Sequence, residues 1–304
     1  AKRMAQRAKV HQSSFGIPIA YASILGGSLT LIGTASNLIV STYRMNAFNQ
    51  PFTMFDFSFH GLALILSGVF VLFICRICGL RPLKKTEENT KIISVEADQV
   101  IEAATPRNRT KSLIVIFTLV PIVVLTSIRL IHPAIAFGLV TLIWIFLGVL
   151  PYQKAVDHIN IPIILFLGSM FGISASLEET GALAAAVNMV IPLFSRLPPF
   201  WMILLFVFVT AMFANILDNS VAALLLAPVA VMLWRTGAIT FNPDALLMAV
   251  AAGASLGVVL PSHQATMVVM DSMNFPRKSF IALGAVIALC ACFFATVVIY
   301  IRWC

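Results

Sequence analysis

Small polar residues interrupt an apolar segment near the start of the chain. The segment runs from about residue 15 to about residue 41, which is long enough to cross a bilayer. Its middle holds three glycines, and the run Gly33 to Asn37 adds the hydroxyls of Thr34 and Ser36 to the Asn37 amide. A backbone break at membrane depth survives only where it lines a protein cavity. The carbonyls, hydroxyls and helix N-terminus of such a break suit a cation and an anion side by side, so Gly33 to Asn37 is predicted to form half of a transport site.

A second polar group lies in the middle of the apolar stretch 200–234, which is too long for one crossing. It comprises Asn215, Asp218, Asn219 and Ser220. A re-entrant helical hairpin with these residues at its tip is predicted. Burying an ionisable group at membrane depth is expensive, so Asp218 is a candidate for proton coupling. Its structural alternative is to cap the helix that follows, and the two roles are compatible.

A third group, Pro261 to Thr266, interrupts the apolar span 245–270. An accessible His263 would titrate near neutral pH and couple protons, whereas a neutral, hydrogen-bonded histidine is the structural alternative. The neighbouring Ser262 and His263 also raise the question of an intramembrane hydrolase. Adjacent Ser and His side chains rarely align, and no third group orients them, so an enzyme is not expected.

The composition requires a membrane to hold these segments. The 304 residues are 60% hydrophobic and only 11% charged, with a mean hydropathy of +0.98. The sequence predicts an all-α polytopic membrane protein. The net charge of +8 is not arranged as a basic stripe with aromatics, so lipid rather than nucleic acid is the expected partner. Further spans are predicted at 59–77, 112–128, 133–150, 161–177 and 280–301. A polar loop is predicted at 43–50, a surface helix at 93–103 and a short interfacial segment at 183–193.

The distribution of Lys and Arg predicts the orientation. Fifteen of the 20 basic residues fall on the side of the N-terminus and of the charged segment 79–111. Since cytoplasmic loops are enriched in Lys and Arg, the N-terminus is expected in the cytoplasm and the C-terminus outside, in the plasma (inner) membrane. The hairpin then enters and leaves from the outer face.

A weak internal repeat relates the two interrupted helices. Gly26-x-Ser28-Leu29 corresponds to Gly253-x-Ser255-Leu256, and each is followed by a Phe-x-x-x-Gly pattern, at Phe57–Gly61 and at Phe280–Gly284. Two broken helices in corresponding positions point to a transporter site between inverted repeats. Residues 1–78 are then the end of a first repeat, 79–111 a cytoplasmic linker and 112–304 a second repeat. The first repeat is incomplete, so an upstream hairpin is expected before Ala1.

These motifs resemble a known family. The run Gly26-Gly27-x-Leu29-Thr30-Leu31-Ile32-Gly33-Thr34-x-x-Asn37-Leu38 is similar to the broken-helix signature of the citrate-transporter-like divalent anion/sodium symporters, within the ion transporter superfamily. Residues 215–228 resemble the hairpin tip of that family, and residues 161–181 its preceding helix. The resemblance implies an elevator transporter, usually dimeric, with broken helices and re-entrant hairpins.

The resemblance also implies roles for individual residues. Asn219, Ser220, Thr34, Asn37, Pro261 and Ser262 would contact the substrate. Sodium would be bound by Gly33, Ser36, Ala214, Leu217, Asp218, Asn219 and Thr266, and protons would couple through Asp218 or His263. One departure stands out, because Asp218 replaces the usual Ser of the tip and brings it closer to the tips of arsenite-permease-like and sodium/proton-antiporter relatives.

The expected function is sodium-coupled symport of a small divalent anion, a dicarboxylate, citrate or sulfate. No cofactor is expected besides the coupling sodium ions, and a homodimer is the expected assembly. Two alternatives remain open at this point: a proton-coupled or antiport ion transporter, and a non-transporting truncated remnant.

Overall fold

A computed structural model describes residues 13–77, 109–128, 130–131, 133–159, 161–194, 197–260 and 277–304. This part of the chain is all-helical, which confirms the predicted fold class. Its helices are α1 Ser13–Gly27, α2 Ala35–Phe48, α3 Ser58–Ile77, α4 Arg109–Ser127, α5 Pro133–Phe146, α6 Tyr152–Asp157, α7 Ile161–Glu179, α8 Ala182–Phe194, α9 Pro199–Ile216, α10 Asn219–Arg235, α11 Pro243–Ala254 and α12 Arg277–Trp303.

Four helical segments are long and apolar enough to cross a membrane. They are Ser58–Cys75, Thr110–Ser127, Pro199–Ile216 and Phe280–Trp303. Four shorter apolar helices accompany them, at Ile17–Gly27, Ile135–Phe146, Asn219–Arg235 and Pro243–Ala254. Short apolar helices are typical of interrupted spans, and each of these lies next to a turn or a break in the described chain.

The chain forms two compact units. The second unit, Thr86–Gly168, contains α4, α5, α6 and the start of α7. There α4 and α5 pack together, and the Trp144 indole donates a hydrogen bond to Thr118 Oγ1 at 2.8 Å. The first unit, Ala1–Lys85 with Ser169–Cys304, contains the remaining helices and all of the predicted site residues that the structure describes.

Helix α11 is the core of the first unit. Every residue from Asp244 to Ala254 is buried, and the helix packs against α2, α3, α9, α10 and α12. Its composition explains this position, because Ala, Gly, Leu, Met and Val leave no polar side chain to satisfy along most of its length. A 12-residue helix is about 18 Å long, well short of a hydrocarbon core of about 30 Å. The C-terminal end of α11 therefore lies inside the membrane when its N-terminal end lies at the interface.

Several helix ends meet at one end of the first unit, here called the arginine end. The Arg44 guanidinium stacks on Phe52 at 4.5 Å, and the Phe52 ring meets Trp303 at 6.1 Å. At the start of α9, Phe200 contacts Tyr300 at 5.8 Å. Asp244, in the first turn of α11, pairs with Arg44. These contacts bring together the last turns of α2 and α12 and the first turns of α9 and α11.

The hairpin helix α10 also ends at the arginine end. It packs against α2, and Phe48 meets Trp234 edge-on with the ring centroids 4.9 Å apart. The two helices therefore run parallel, with their N-termini together at the other end of the pair. Since α9 starts at the arginine end and α10 returns to it, the hairpin enters and leaves from the same side. Near its tip, Asn215 contacts the segment that follows α11, so the tip lies inside the membrane when the N-terminal end of α11 lies at the interface.

The two broken helices run in opposite directions, as inverted repeats require. Helix α11 runs away from the arginine end. Helices α3 and α12 are antiparallel, because Arg302 stacks on Phe59 and Phe294 meets Phe70. Helix α1 is antiparallel to α3, because a Cβ at Gly61 would meet Ser28 and one at Gly68 would meet Leu25. Therefore α1 is parallel to α12, and it approaches the centre of the unit from the side opposite to α11.

Some predicted boundaries were wrong. The segment Tyr43 to Gln50 was expected to be a polar loop, but α2 continues to Phe48. Tertiary contacts explain the difference, since the Tyr43 hydroxyl bonds to Ser174 Oγ and Arg44 pairs with Asp244. The helix ends only at Asn49, which has the left-handed conformation with a φ of 57°. Helix α4 begins at Arg109, within the predicted linker, while the rest of that linker and its surface helix at 93–103 lie outside the described residues.

Replacing Asp244 by Asn is expected to destabilise the protein strongly. Arg44 Nε and Nη2 donate to the two Asp244 carboxylate oxygens, each at 2.8 Å, and only 8% of the Asp244 side chain is exposed. Removing one partner of a buried ion pair leaves the other charge unpaired and costs about 3–5 kcal/mol. Thermal unfolding in detergent should show a large fall in melting temperature. The exposed Asp157→Asn is the control, and equal melting temperatures for the two variants would contradict the structural role of the pair.

Candidate functional site

The first break in the chain is the segment 28–34, between α1 and α2. The backbones of Gly27 and Gly33 touch there. A Cβ at Gly27 would lie 2.9 Å from the Gly33 carbonyl oxygen, and a Cβ at Gly33 would overlap the Gly27 carbonyl. Glycine at both positions is therefore required for the two half-helices to meet. This contact turns the chain so that the α2 N-terminus lies beside the end of α1.

Asn37 holds the carbonyl oxygens of this break. Its side chain is fully buried, and Nδ2 donates to the Thr30 carbonyl at 2.9 Å and to the Ser28 carbonyl at 3.4 Å. Because both partners are acceptors, the orientation of the amide is fixed, and Oδ1 points elsewhere. Asn37 Oδ1 is buried and has no hydrogen-bond partner within the described residues. Nearby, Thr34 Oγ1 and Ser36 Oγ share a hydrogen bond at 3.0 Å.

The start of α3 and the loop before it contact the backbone of the first break. Ser58 Oγ donates to the Leu29 carbonyl at 2.8 Å, and the Leu31 N–H donates to the Met54 carbonyl at 3.0 Å. Gly61 packs so closely that a Cβ there would lie 2.8 Å from the Ser28 carbonyl oxygen. The free backbone groups of the break are thus held by side chains and by neighbouring backbone, as a break in a membrane requires.

At the hairpin tip, Asp218 caps α10. Its backbone is extended, and Oδ1 accepts a hydrogen bond from the Ser220 N–H at 2.8 Å. Leu217, whose N–H donates to the Phe213 carbonyl, ends α9 immediately before it. Asp218 therefore has the structural role that was the alternative to proton coupling, that of a helix N-cap. A half-buried carboxylate nevertheless remains at the tip, beside the N-terminus of a helix.

Asn219 supplies a second unpaired amide oxygen. The residue is 5% exposed, and its Oδ1 is buried without a partner in the part of the chain that the structure describes. Gly257 packs directly against it, since a Cβ at Gly257 would overlap Asn219 Oδ1 and lie 3.4 Å from the Ala214 carbonyl oxygen. The Asn219 and Ala214 oxygens therefore border the same point beside the second break.

Asn215 joins the hairpin to the second break, although it is not among the predicted site residues. Its Nδ2 donates to the Leu256 carbonyl at 2.9 Å, and its Oδ1 accepts from the N–H groups of Val259 at 2.8 Å and Leu260 at 3.2 Å. One amide thus satisfies three backbone groups of the segment that follows α11. The signal was an Asn in an otherwise apolar helix, where a polar side chain needs a partner.

The two breaks are supported in the same way. Gly284 follows the buried Phe280 by four residues and packs against the Val258 carbonyl, as Gly61 follows the buried Phe57 and packs against the Ser28 carbonyl. The sequence repeat at these positions therefore corresponds to a repeated contact. The predicted boundaries of the two repeats stay a prediction.

The remaining predicted residues of the second break lie outside the described residues. They are Pro261, Ser262, His263 and Thr266, and the structure follows this break only as far as Leu260. The structure brings the other predicted residues to two places. Gly33, Thr34, Ser36 and Asn37 lie at the first break, and Ala214, Leu217, Asp218, Asn219 and Ser220 lie at the tip.

This arrangement offers neutral oxygen ligands and two helix N-termini. The N-termini of the parallel helices α2 and α10 lie at the same end of these two helices, and each carries a partial positive charge. Within the described residues no group of three His, Cys, Asp or Glu side chains could hold a metal ion. Amide and carbonyl oxygens are ligands for hard cations, and helix N-termini bind anions. Groups of this kind can bind ions reversibly.

Comparison with known proteins identifies the family. The family model described as citrate transporter matches residues 1–253, more than half of the chain. The chain belongs to the citrate transporter family. It is therefore part of an integral membrane protein, and the family and the named cotransporters among its relatives are transporters rather than enzymes.

Curated relatives share short regions with this citrate transporter family member. Sodium/sulfate cotransporter 2 of Chlamydomonas reinhardtii is 28% identical over 53% of this chain and 18% of its own length. Sodium/sulfate cotransporter 1 of the same alga is 29% identical over 40% of the chain and 14% of its own length. An uncharacterised transporter of Escherichia coli is 26% identical over 43% of the chain and 22% of its own length. The chain thus matches less than a quarter of each of these longer proteins.

Proposed function

We propose that this chain carries the ion sites of a sodium-coupled symporter for a small divalent anion, a dicarboxylate, citrate or sulfate. The observation that carries the proposal is a pair of buried amide oxygens, Asn37 Oδ1 and Asn219 Oδ1, that have no hydrogen-bond partner within the described residues. An unpaired buried acceptor costs about 1–3 kcal/mol. A bound sodium ion would remove that cost, because it needs oxygen ligands and no proton.

The first sodium ion would bind at the first break, bordered by Asn37 Oδ1 and the segment Gly33 to Ser36. The second would bind beside the hairpin tip, between Asn219 Oδ1 and the Ala214 carbonyl. In this proposal the anion is contacted by six residues, which are Thr34, Asn37, Asn219, Ser220, Pro261 and Ser262. Leu217, Asp218 and Thr266 complete the cation shells.

The coupling follows from electrostatics. The N-termini of α2 and α10 favour an anion, and each sodium ion placed beside them adds a full positive charge. A divalent oxyanion then binds well only when sodium is present, and sodium binds better when the anion is present. Support from the relatives is limited to their names, since two of them are sodium/sulfate cotransporters and the family is named for citrate.

The test is uptake into proteoliposomes. Radiolabelled sulfate, citrate and succinate are offered with an inward gradient of sodium or, as a control, of choline. We expect uptake of at least one anion with sodium and none with choline. Equal uptake of every anion in choline would contradict sodium coupling, and no uptake of any anion would contradict the substrate class.

Asp218 favours a second candidate function, proton-coupled or antiport exchange, because it places a carboxylate at the tip. Asp218→Asn removes the charge and keeps an N-cap, since Asn caps helices as well as Asp. If protons are coupled, the variant should have a flat pH profile of uptake with an unchanged melting temperature. Asp218→Ala, which loses the cap, should be less stable by about 1 kcal/mol. An unchanged pH profile in Asp218→Asn would remove this candidate.

We also propose the assembly, the motion and the orientation of the transporter. It would form a homodimer in the plasma membrane, move as an elevator, and have its arginine end facing outwards. Contacts that bring Arg44 and Arg302 to one end agree with the counted distribution of basic residues. Labelling of Cys304, which is exposed, by an impermeant maleimide in intact cells tests the orientation. Labelling only after lysis would show that the arginine end faces the cytoplasm.

A further inference from the structure

Asn215 ties the hairpin helix α9 to the second break through both ends of its side-chain amide. It is the last residue but one of α9 and is 9% exposed. Its Nδ2 donates to the Ala211 carbonyl at 2.7 Å and to the Leu256 carbonyl at 2.9 Å. Its Oδ1 accepts from the N–H groups of Val259 at 2.8 Å and Leu260 at 3.2 Å. An amide has two donors and an oxygen with two lone pairs, so all four positions are filled and Asn215 Oδ1 is not available to a cation.

The segment that Asn215 holds, residues 256–260, packs against the proposed second cation site. A Cβ at Gly257 would overlap Asn219 Oδ1 and lie 3.4 Å from the Ala214 carbonyl oxygen. These are the two oxygens between which we place the second sodium ion. Ala214 directly precedes Asn215 in the chain. The amide therefore links the residue that supplies one oxygen of the site to the segment that lies against the other.

A second contact supports segment 256–260, but it has a different character. From α12, Gly284 packs so closely that a Cβ there would overlap the Val258 carbonyl oxygen. A packing contact fixes only a distance, whereas hydrogen bonds also fix a direction. The four hydrogen bonds of Asn215 therefore set the register of the segment against the hairpin tip, and the contact from α12 does not.

We propose that Asn215 is a positioning residue of the second cation site. Without touching the ion, it holds the Ala214 carbonyl and segment 256–260 at the spacing in which Asn219 Oδ1 can bind sodium. The inference rests on the proposed cation site at Asn219. Residues that orient the ligands of a metal ion typically change its affinity by about 10- to 100-fold when they are replaced. Asn215→Ala should therefore weaken sodium binding beside the tip by this factor and leave the first break unchanged.

The test examines the two cation sites one at a time. Under the proposed function, sodium binds only beside the tip in Asn37→Ala and only at the first break in Asn219→Ala. The melting temperature of each protein is measured as a function of sodium, with choline keeping the ionic strength constant. Adding Asn215→Ala to Asn37→Ala should raise the half-maximal sodium concentration by about 10- to 100-fold. Adding it to Asn219→Ala should leave that concentration unchanged.

Two results of this test would overturn the proposal. A residue with a purely structural role would lower the melting temperature in choline without changing the sodium dependence in either background. A residue that disturbs the whole molecule would shift the half-maximal sodium concentration equally in both backgrounds. Only a positioning residue of the second site gives a shift in one background and none in the other.

Thr210→Ala is the matched control, added to the same two backgrounds. Thr210 is fully buried in the same helix, and its Oγ1 donates to the Phe206 carbonyl one turn earlier. The variant removes a buried polar side chain from α9 without removing a hydrogen bond to the second break. It should leave the sodium dependence unchanged in both backgrounds. A shift as large as that of Asn215→Ala would show that any such change in α9 disturbs the site, and would overturn the specific role of Asn215.

Hydrogen exchange on the wild-type protein tests the proposal even if Asn215→Ala does not fold. Sodium bound beside the tip should keep the Val259 and Leu260 N–H groups on Asn215 Oδ1. At ten times the dissociation constant of sodium, exchange that requires this contact to open should slow by about tenfold. The Thr236 N–H, at the far end of α10, is the control and should not respond to sodium. Exchange at Val259 and Leu260 that is the same in sodium and choline overturns the proposal.

The outcomes separate this proposal from the function on which it depends. If Asn219→Ala weakens the stabilisation by sodium but Asn215→Ala does not, the positioning role is wrong and the cation site stands. If sodium stabilises neither the wild type nor Asn219→Ala, the cation site itself is wrong, and the positioning role falls with it.

Discussion

Gly33→Ala should reduce transport by about a hundredfold or more. The added Cβ would overlap the Gly27 carbonyl oxygen, and that atom belongs to backbone that cannot rotate away. The two half-helices must separate, and a displacement of about 1 Å at a binding site costs about 10²-fold. The measurement is the rate of sodium-dependent anion uptake into proteoliposomes, normalised to the amount of folded protein.

Gly26→Ala is the matched control for this variant. Gly26 lies seven residues earlier, in α1, and nothing lies within 4 Å of the position that its Cβ would occupy. It should transport like the wild type. Normal uptake by Gly33→Ala, or an equal loss in both variants, would show that the close contact between Gly27 and Gly33 is not what the first break requires.

Asn219→Ala should abolish sodium-dependent uptake at ordinary sodium concentrations. The variant loses the unpaired oxygen that we place on the sodium ion, and interactions of a neutral group with a charge contribute about 1.5–3 kcal/mol. The sodium concentration for half-maximal uptake should therefore rise by about 10- to 100-fold. The measurement is uptake as a function of external sodium, with choline keeping the ionic strength constant.

The control for this variant is Asn188→Ala, on the exposed surface of α8. It makes the same chemical change away from both breaks and should leave the sodium dependence unchanged. A well-folded Asn219→Ala protein with the wild-type sodium dependence would exclude Asn219 as a cation ligand.

Much of the fold could be predicted because membranes restrict what the chain can do. The polar run Gly33 to Asn37 and the polar tip at Asp218 are interruptions that lipid cannot hydrogen-bond, so they had to be breaks or turns inside protein. The helical hairpin followed from the length of one apolar stretch. The Phe-x-x-x-Gly repeat marked the positions where α3 and α12 press against the two breaks.

Other parts of the site depend on long-range contacts that the sequence does not encode locally. Asn215 holds backbone groups more than 40 residues away, and Arg44 pairs with Asp244 across 200 residues. Tyr43 to Phe48 looked like a polar loop because partners for its side chains come from α7 and α11.

Sodium binding at the two buried amide oxygens should appear as a sodium-dependent gain in thermal stability. The purified wild type, Asn37→Ala, Asn219→Ala and the double variant are melted in sodium or in choline. A site filled to 100 times its dissociation constant adds about 2.7 kcal/mol. We predict sodium stabilisation of the wild type, about half of it in Asn219→Ala and none in the double variant. In choline, Asn219→Ala should be at least as stable as the wild type, because it has lost a buried oxygen that has no partner in the part of the chain that the structure describes. Equal melting temperatures of the wild type in sodium and in choline would contradict sodium binding at these oxygens. So would full sodium stabilisation of the double variant.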